Sequence, residues 1–260
     1  MIRRLCAGPL RALARRVDKR NGRRLAALAR FVDPPIDVSE PYTDAVAIAV
    51  PGWLNRGNLY CFDRALQDLP SDAPMIEIGS FCGLSAILLG YYKRKHGRRN
   101  PLITVDKWRY GRMEQCLDGD APTTYAEFRA FVKESYRRNV QAFSAWDLPY
   151  PFEMPSDELF AAWREGEERR DLFGRTVRLG GPISFCYVDG SHRYEPARND
   201  FRHADELLEP GGYLFFDDSY DGAGWGVGRV VAEVQGSGNY ELVVKNPNYL
   251  FRKRARRAAR

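Results

Sequence analysis

Apolar and polar positions follow two periods along the chain, and each switch of period marks an element. A short apolar run opening at Met75 and another over Pro101–Asp106 predict strands, and the runs Ile183–Asp189 and Gly212–Asp217 predict strands buried on both faces, as in a parallel sheet. Pro149–Met154 predicts a further short strand. Between these runs the apolar spacing lengthens to that of helices. Leu59, Phe62, Leu66 and Leu69 stripe a helix over Gly57–Leu69 that stops before Pro70, and Tyr125, Phe128, Phe131, Val132 and Tyr136 stripe another over Thr123–Asn139, with Thr123 or Thr124 as its N-cap. Helices are also expected after the glycine turn at residue 83, from Ser156 or Asp157 through Trp163, from near Tyr194, and over Arg229–Gln235. Asp171–Gly181 predicts a β-hairpin flap, and Tyr240–Lys245 with Tyr249–Arg252 a closing hairpin. Strand and helix in alternation predict a doubly wound, Rossmann-like α/β domain.

Chemistry concentrates where these strands end. Glu77-Ile-Gly-Ser-Phe-Cys-Gly-Leu-Ser85 joins a strand to a helix through Gly79 and Gly83, which let the backbone turn sharply near a ligand at the helix N-terminus. The spacing is G-x-x-x-G rather than the G-x-G-x-x-G that seats a pyrophosphate. Glu77 adds negative charge, which suits a cationic or amino-bearing ligand better than a phosphate. Asp106 closes the next strand, where a carboxylate accepts hydrogen bonds from both hydroxyls of a ribose. Asp189 and the pair Asp217-Asp218 close two later strands, so they are expected at the same rim of the sheet. Several carboxylates there call for a hard divalent ion, and magnesium takes oxygen ligands of this kind. His192, three residues beyond Asp189, has three readings: a general base with an ordinary pKa of about 6.5, a metal ligand, or a cap on the following helix. The glycine-rich loop Ser219–Gly228 carries Tyr220 and Trp225, whose rings suit stacking on a substrate, and its glycines suit hinge closure.

Glu77–Ala86, Val188-Asp-Gly-Ser-His-Arg-Tyr-Glu195 and Leu208-Glu-Pro-Gly-Gly-Tyr-Leu-Phe-Phe-Asp-Asp218 together resemble the class I S-adenosylmethionine-dependent methyltransferases, of the metal-dependent catechol O-methyltransferase type. Asp-Gly-x-His-x-Tyr-Glu places the chain nearer a bacterial branch of sugar and macrolide O-methyltransferases and cephalosporin hydroxylase-like proteins; the catechol enzymes carry lysine where this chain has His192. The resemblance spans roughly residues 55–250 and is weak between about 109 and 182. It implies a seven-stranded, mostly parallel sheet with an antiparallel last strand. It also implies a methyl donor, S-adenosylmethionine, bound by Glu77, Gly79, Ser80, Phe81, Gly83, Ser85, Asp106, Lys107, Ser156, Asp157 and Asp189, although Ser156 equally fits a plain helix cap. Asn55 and Asn58 are further donor candidates. Asp189, Asp217 and Asp218 are implied as Mg2+ ligands, and Asp189 with His192 as the catalytic pair. The acceptor is then a hydroxyl of a small molecule, a sugar or glycosylated metabolite, under the hairpin flap as a lid. A hydroxylase-like or oxidoreductase protein on the same scaffold, or a membrane or nucleic-acid binder with a vestigial pocket, are the alternatives.

Length and charge refine this picture. A chain of 260 residues builds one sizeable core, here expected over residues 51–252 with an insertion at about 109–182. Residues 1–50 read as a basic helical arm with a proline-rich connector, and residues 253–260 as a basic tail. Residues 1–30 carry ten basic side chains against Asp18 alone, and residues 252–260 carry six basic side chains and no acid. The total is only +6, so the body of the chain is acidic. That distribution argues against a nucleic-acid surface at the motifs, and leaves the arm as a contact for an anionic membrane or another protein. Five cysteines without metal-ligand spacing fit a reducing cytoplasm, and a homo-oligomer is compatible with everything above.

Overall fold

The computed structural model describes residues 36–109 and 123–255. The expected arm over residues 1–35, the end of the basic tail, Cys6 and Cys116 lie outside them. In chain order the elements are α1 (Pro41–Ala49), α2 (Gly57–Gln67), β1 (Met75–Ile78), α3 (Leu84–Lys95), β2 (Leu102–Asp106), α4 (Tyr125–Phe143), β3 (Tyr150–Glu153), α5 (Ser156–Glu165), β4 (Glu168–Arg170), β5 (Thr176–Arg178), β6 (Ile183–Val188), α6 (Tyr194–Leu207), β7 (Leu208–Phe216), α7 (Val227–Gly236), β8 (Tyr240–Lys245) and β9 (Tyr249–Lys253). Seven strands form one sheet in the order β3-β2-β1-β6-β7-β9-β8, while β4 and β5 pair separately. The expected α/β class, with its antiparallel closing strand, is thus present. Among the described residues no helix is long and apolar enough to cross a membrane.

The chain divides into two compact units. One is drawn from residues 40–54 and 72–181. Its strands β1, β2 and β3 are parallel, with Met75 opposite Leu102 and Asp106 opposite Glu153. All four β1 side chains are buried, Glu77 among them. Thr124 caps α4 through a reciprocal box with Glu127, its hydroxyl accepting from the Glu127 amide at 3.2 Å. α4 presses on the turn before α3: a Cβ on Gly83 would lie 3.1 Å from Val140 Cγ1 and 3.2 Å from the Tyr136 ring.

Three expectations are corrected here. The stretch read as connector up to residue 50 contains α1, whose first turn is fixed by Glu40 and Thr43 side chains bonding each other's backbone. Ser156 is the first residue of α5 rather than its cap, because Pro155 holds the N-cap position. The β4–β5 hairpin is not placed as a lid. Arg175 at its turn stacks 4.1 Å above the Tyr150 ring and donates to the carbonyls of Leu148 and Pro149, while the Leu172 amide donates to Pro151 O at 2.8 Å. These bonds anchor the hairpin at the N-terminal start of β3, whereas Gly79 and Asp106 stand at the C-terminal ends of β1 and β2.

The second unit is drawn from residues 36–39, 55–71 and 182–255. β6 and β7 run parallel, and β9 pairs antiparallel with both β7 and β8. All six β6 side chains are buried, as its unbroken apolar run requires. Gly57, the first residue of α2, meets the turn between β8 and β9 so closely that a Cβ would fall 2.0 Å from Asn246 O. Asn246 locks the same junction, donating to Gly57 O at 3.0 Å and to Ile36 O at 2.7 Å. Gly57→Ala therefore forces backbone apart, and we expect a loss of about 3 kcal/mol, seen as a fall of roughly 6–12 °C in the melting temperature. Gly228→Ala, with open space around it in α7, is the control and is expected to melt at or slightly above the wild-type temperature.

Candidate functional site

In the first unit the site is a turn shaped by a carboxylate. Asp106 Oδ2 accepts the amides of Ser80 and Phe81, each at 3.0 Å, and its Oδ1 accepts the Trp108 amide at 2.7 Å. Burial raises the Asp106 pKa, and these three amides oppose the rise. The turn between is contorted, with Gly79 at φ 86°, Phe81 at 43° and Gly83 at 91°. The fully buried Trp108 ring closes it from one side, its indole N–H donating to Phe81 O at 2.9 Å, and Asn139 of α4 donates to Cys82 O at 2.9 Å. Sequence reasoning missed Trp108 and Asn139. An aromatic residue just after the strand-ending acid was the available signal for Trp108; Asn139 carried none.

Glu77 is the anomaly of this unit. Its carboxylate is fully buried in β1, and among the described residues neither oxygen has a hydrogen-bond partner; the buried Ser80 hydroxyl lacks one there as well. Burial pushes the Glu77 carboxyl up to about 7, and the neighbouring hydroxyls of Ser85 and Ser80 temper that rise without completing a bond. Among the other expected contacts, Ser85 is buried in the first turn of α3, Lys107 is exposed beside Asp106, and Ser156 and Asp157 begin α5 beyond the end of β3. The unit therefore gathers Glu77, Gly79, Ser80, Phe81, Asp106 and Lys107 at the C-terminal ends of β1 and β2. Gly83 takes the sharp turn expected of it, at φ 91°, and its missing side chain also leaves room for Val140 and Tyr136 of α4.

The second unit holds the other acids. Asp217 is buried at the end of β7, and its Oδ1 accepts from Asn58 Nδ2 at 2.6 Å and from Asn248 Nδ2. Burial pushes its carboxyl up to about 6, the charge of Asp218 adds to the rise, and hydrogen bonds from Asn58, Asp189 and the Asp218 backbone restrain it. Asp218, at φ 49°, turns away to meet His192, whose Nε2 lies 2.9 Å from Asp218 Oδ2. Asn58, expected near the donor, is instead a partner of Asp217. Asn248 was missed altogether, since an Asn-Pro-Asn turn in a hairpin reads as turn chemistry.

This donor set does not fit a divalent ion as expected. Asp217 Oδ1 already takes two amide donors, Asp218 is engaged by His192, and among the described residues no three His, Cys, Asp or Glu side chains are grouped to hold a metal. His192 caps no helix: Arg193 is the N-cap of α6. Its ring stands 4.9 Å from that of Trp225, and the glycine-rich loop bearing Trp225 is tethered rather than hinged. Ser219 and Tyr220 amides donate to Asn248 Oδ1, Asp221 accepts from Tyr249 and Lys245, and the Gly226 amide donates to His192 O at 2.8 Å.

Comparison with known proteins agrees with this architecture. An O-methyltransferase from Bacillus cereus bound to SAH superimposes with a TM-score of 0.50, at 13% identity, over 89% of this chain and 97% of that one. The SAH-bound methyltransferase PaMTH1 of Podospora anserina does so with a TM-score of 0.54, at 11% identity, over 93% and 97%. At these identities the likeness is one of fold. The uncharacterized protein R132 of Acanthamoeba polyphaga mimivirus is 36% identical over 68 residues, which are 24% of this chain and 30% of that protein, so the chain spans less than a third of that relative's length. Residues 76–219, which run from β1 past the acids that follow β7 and contain the glycine turn, Asp106, His192, Asp217 and Asp218, match the family described as "Methyltransferase domain", and the chain belongs to that family.

Proposed function

We propose that the protein transfers the methyl group of S-adenosylmethionine to a hydroxyl of a small molecule, a sugar or glycosylated metabolite. The observation that carries the donor assignment is Glu77. A buried carboxylate with two unpaired oxygens is expensive, and the ammonium group of the donor's methionine part is a cation of the right kind to complete it. The SAH bound in the Bacillus cereus and Podospora anserina proteins supports the same donor class. Ser80 brings a second unpaired buried group, and the amides held by Asp106 fix the turn before the donor arrives.

On the acceptor side His192 is the base. With Asp218 accepting from Nε2, the proton of the neutral ring sits on Nε2, and Nδ1 carries the lone pair that takes the acceptor's hydroxyl proton. The acceptor oxygen then attacks the methyl carbon, the carbon–sulfur bond breaks with its electron pair passing to sulfur, and the sulfonium becomes a neutral thioether. Asp218 stabilises the imidazolium. Trp225, 40% exposed against the His192 ring, offers a flat apolar face suited to a sugar ring. No step is assigned to magnesium, because Asp217 is engaged by two side-chain amides, Asp218 by His192, and Asp189 bonds to Asp217.

Two expectations test this reading. Unfolded, Glu77 titrates near 4.5 and folded near 7, so between these values the native chain keeps a proton and loses stability as pH rises. A bound ammonium favours the ionised form. Calorimetry should therefore show S-adenosylmethionine affinity rising from pH 6 to pH 7.5 with proton release, and Glu77→Gln should weaken binding about tenfold or more and flatten that dependence. Undiminished, pH-independent binding by Glu77→Gln would remove the assignment. For the chemistry, mass-shift assays on a panel of free and nucleotide-linked sugars and catechol should show that His192→Ala lowers kcat by about 10²–10⁴-fold with donor affinity unchanged. Asp218→Asn should lower it less, and methyl transfer should persist in EDTA. Activity abolished by EDTA and restored by Mg2+ would return the acids to a metal.

A further inference from the structure

The loop Ser219–Gly226 and the acid Asp217 are controlled by one side chain. Asn248, 1% exposed in the turn between β8 and β9, uses its whole hydrogen-bonding capacity. Its Nδ2 donates to Asn58 Oδ1 at 3.0 Å and to Asp217 Oδ1. Its Oδ1 accepts the amides of Ser219 at 3.0 Å and Tyr220 at 3.1 Å. The nitrogen end thus fixes the acid and the oxygen end fixes the root of the loop.

Downstream of that root the loop is bonded at further points. Tyr249, next to Asn248, takes hold of it twice, its amide donating to Ser219 Oγ at 2.9 Å and its hydroxyl to Asp221 Oδ1 at 2.9 Å. Lys245 pairs with the other Asp221 oxygen. At the far end a Cβ on Gly226 would fall 2.2 Å from the Tyr194 amide nitrogen, so this glycine lies flush against the turn that carries His192. Trp225, held between these fixed points, stays against the His192 ring.

We infer that Asn248 is a positioning residue for the acceptor half of the reaction, setting the Asp217 carboxyl with one end of its amide and the loop that presents Trp225 with the other. The inference rests on the proposed methyl transfer for what these groups serve. Two substitutions separate the two ends. Asn248→Asp keeps oxygens for the Ser219 and Tyr220 amides but replaces the donor to Asp217 with a carboxylate. Asn248→Ala removes both ends. Asn58→Ala removes the other donor to Asp217, together with its contacts to Asn248 and the Tyr187 hydroxyl but with no bond to the loop, and supplies the acid arm should Asn248→Asp fail to fold.

Hydrogen exchange on the full-length protein should show the segment 217–226 exchanging about tenfold faster in Asn248→Ala, and at the wild-type rate in Asn248→Asp and Asn58→Ala. With a sugar from the panel that is methylated, all three variants should lower kcat about tenfold, and only Asn248→Ala should also raise the acceptor KM. Calorimetric affinity for S-adenosylmethionine should stay within about twofold of wild type throughout. Unchanged exchange in Asn248→Ala overturns the inference, as does wild-type kcat in both Asn248→Asp and Asn58→Ala, or donor affinity falling in parallel with turnover. Should the wild-type protein methylate nothing in the panel, the proposed activity fails, while the exchange measurements still decide whether Asn248 sets the loop.

Discussion

Three buried or half-buried carboxylates, each compensated to a different degree, organise this protein. Burying an ionised carboxyl costs several kcal/mol unless hydrogen bonds or a cation offset it. Asp106 is answered by three main-chain amides, which bend the glycine turn around it. Asp217 is answered by two side-chain amides from distant parts of the sequence. Glu77 is answered by neither. The first two are satisfied by hydrogen bonds within the protein. The third is open, and a protein keeps such a defect where a ligand completes it.

The same contrast explains where backbone strain collects. Among the described residues the non-glycine positions with positive φ are Phe81, Trp108 and Asp218. Each follows closely on the C-terminal end of a strand, and each is held by a neighbour that over-determines it. Phe81 and Trp108 are fixed through Asp106, and Asp218 by its pairing with His192. Strain of about 1–3 kcal/mol at such positions persists only when packing and hydrogen bonds enforce it. Here it orients backbone amides towards Asp106 in one unit and the Asp218 carboxylate towards an imidazole in the other.

Much of this was legible in the sequence because it is local. The run Met75–Leu89 contains its own strand, turn and helix, and the apolar period changes where the structure changes. Ile183–Val188 is apolar throughout because both faces of that strand are covered. What stayed hidden is non-local. Asn58 and Asn248 are 190 residues apart, and nothing in either neighbourhood announces that their amides meet on one acid. The 109–182 stretch looked like decoration because its motifs are weak, yet Tyr136, Asn139 and Val140 of α4 form one wall of the glycine turn. The hairpin looked like a lid because flaps with glycine ends often are; its true place is set by Arg175, whose guanidinium reaches back to the start of β3. α1 was masked by Pro41, which suits the first turn of a helix as well as it suits a connector.

The Asp217-Asp218 pair shows why a motif does not by itself fix chemistry. Consecutive side chains at the end of a strand leave the backbone on opposite sides, so two adjacent acids converge on one ion only if the turn after the strand brings them round. In this chain the turn does the reverse. The left-handed backbone at Asp218 sends its carboxylate to His192, and Asp217 stays inward, where Asn58 and Asn248 supply the positive ends of two amide dipoles in place of a cation. The first acid is held by two side-chain amides and the second faces a histidine. Which chemistry an Asp-Asp ending supports is therefore decided by residues that carry no catalytic signature: two asparagines on one side, and on the other a histidine held in register by the glycine at the end of the following loop.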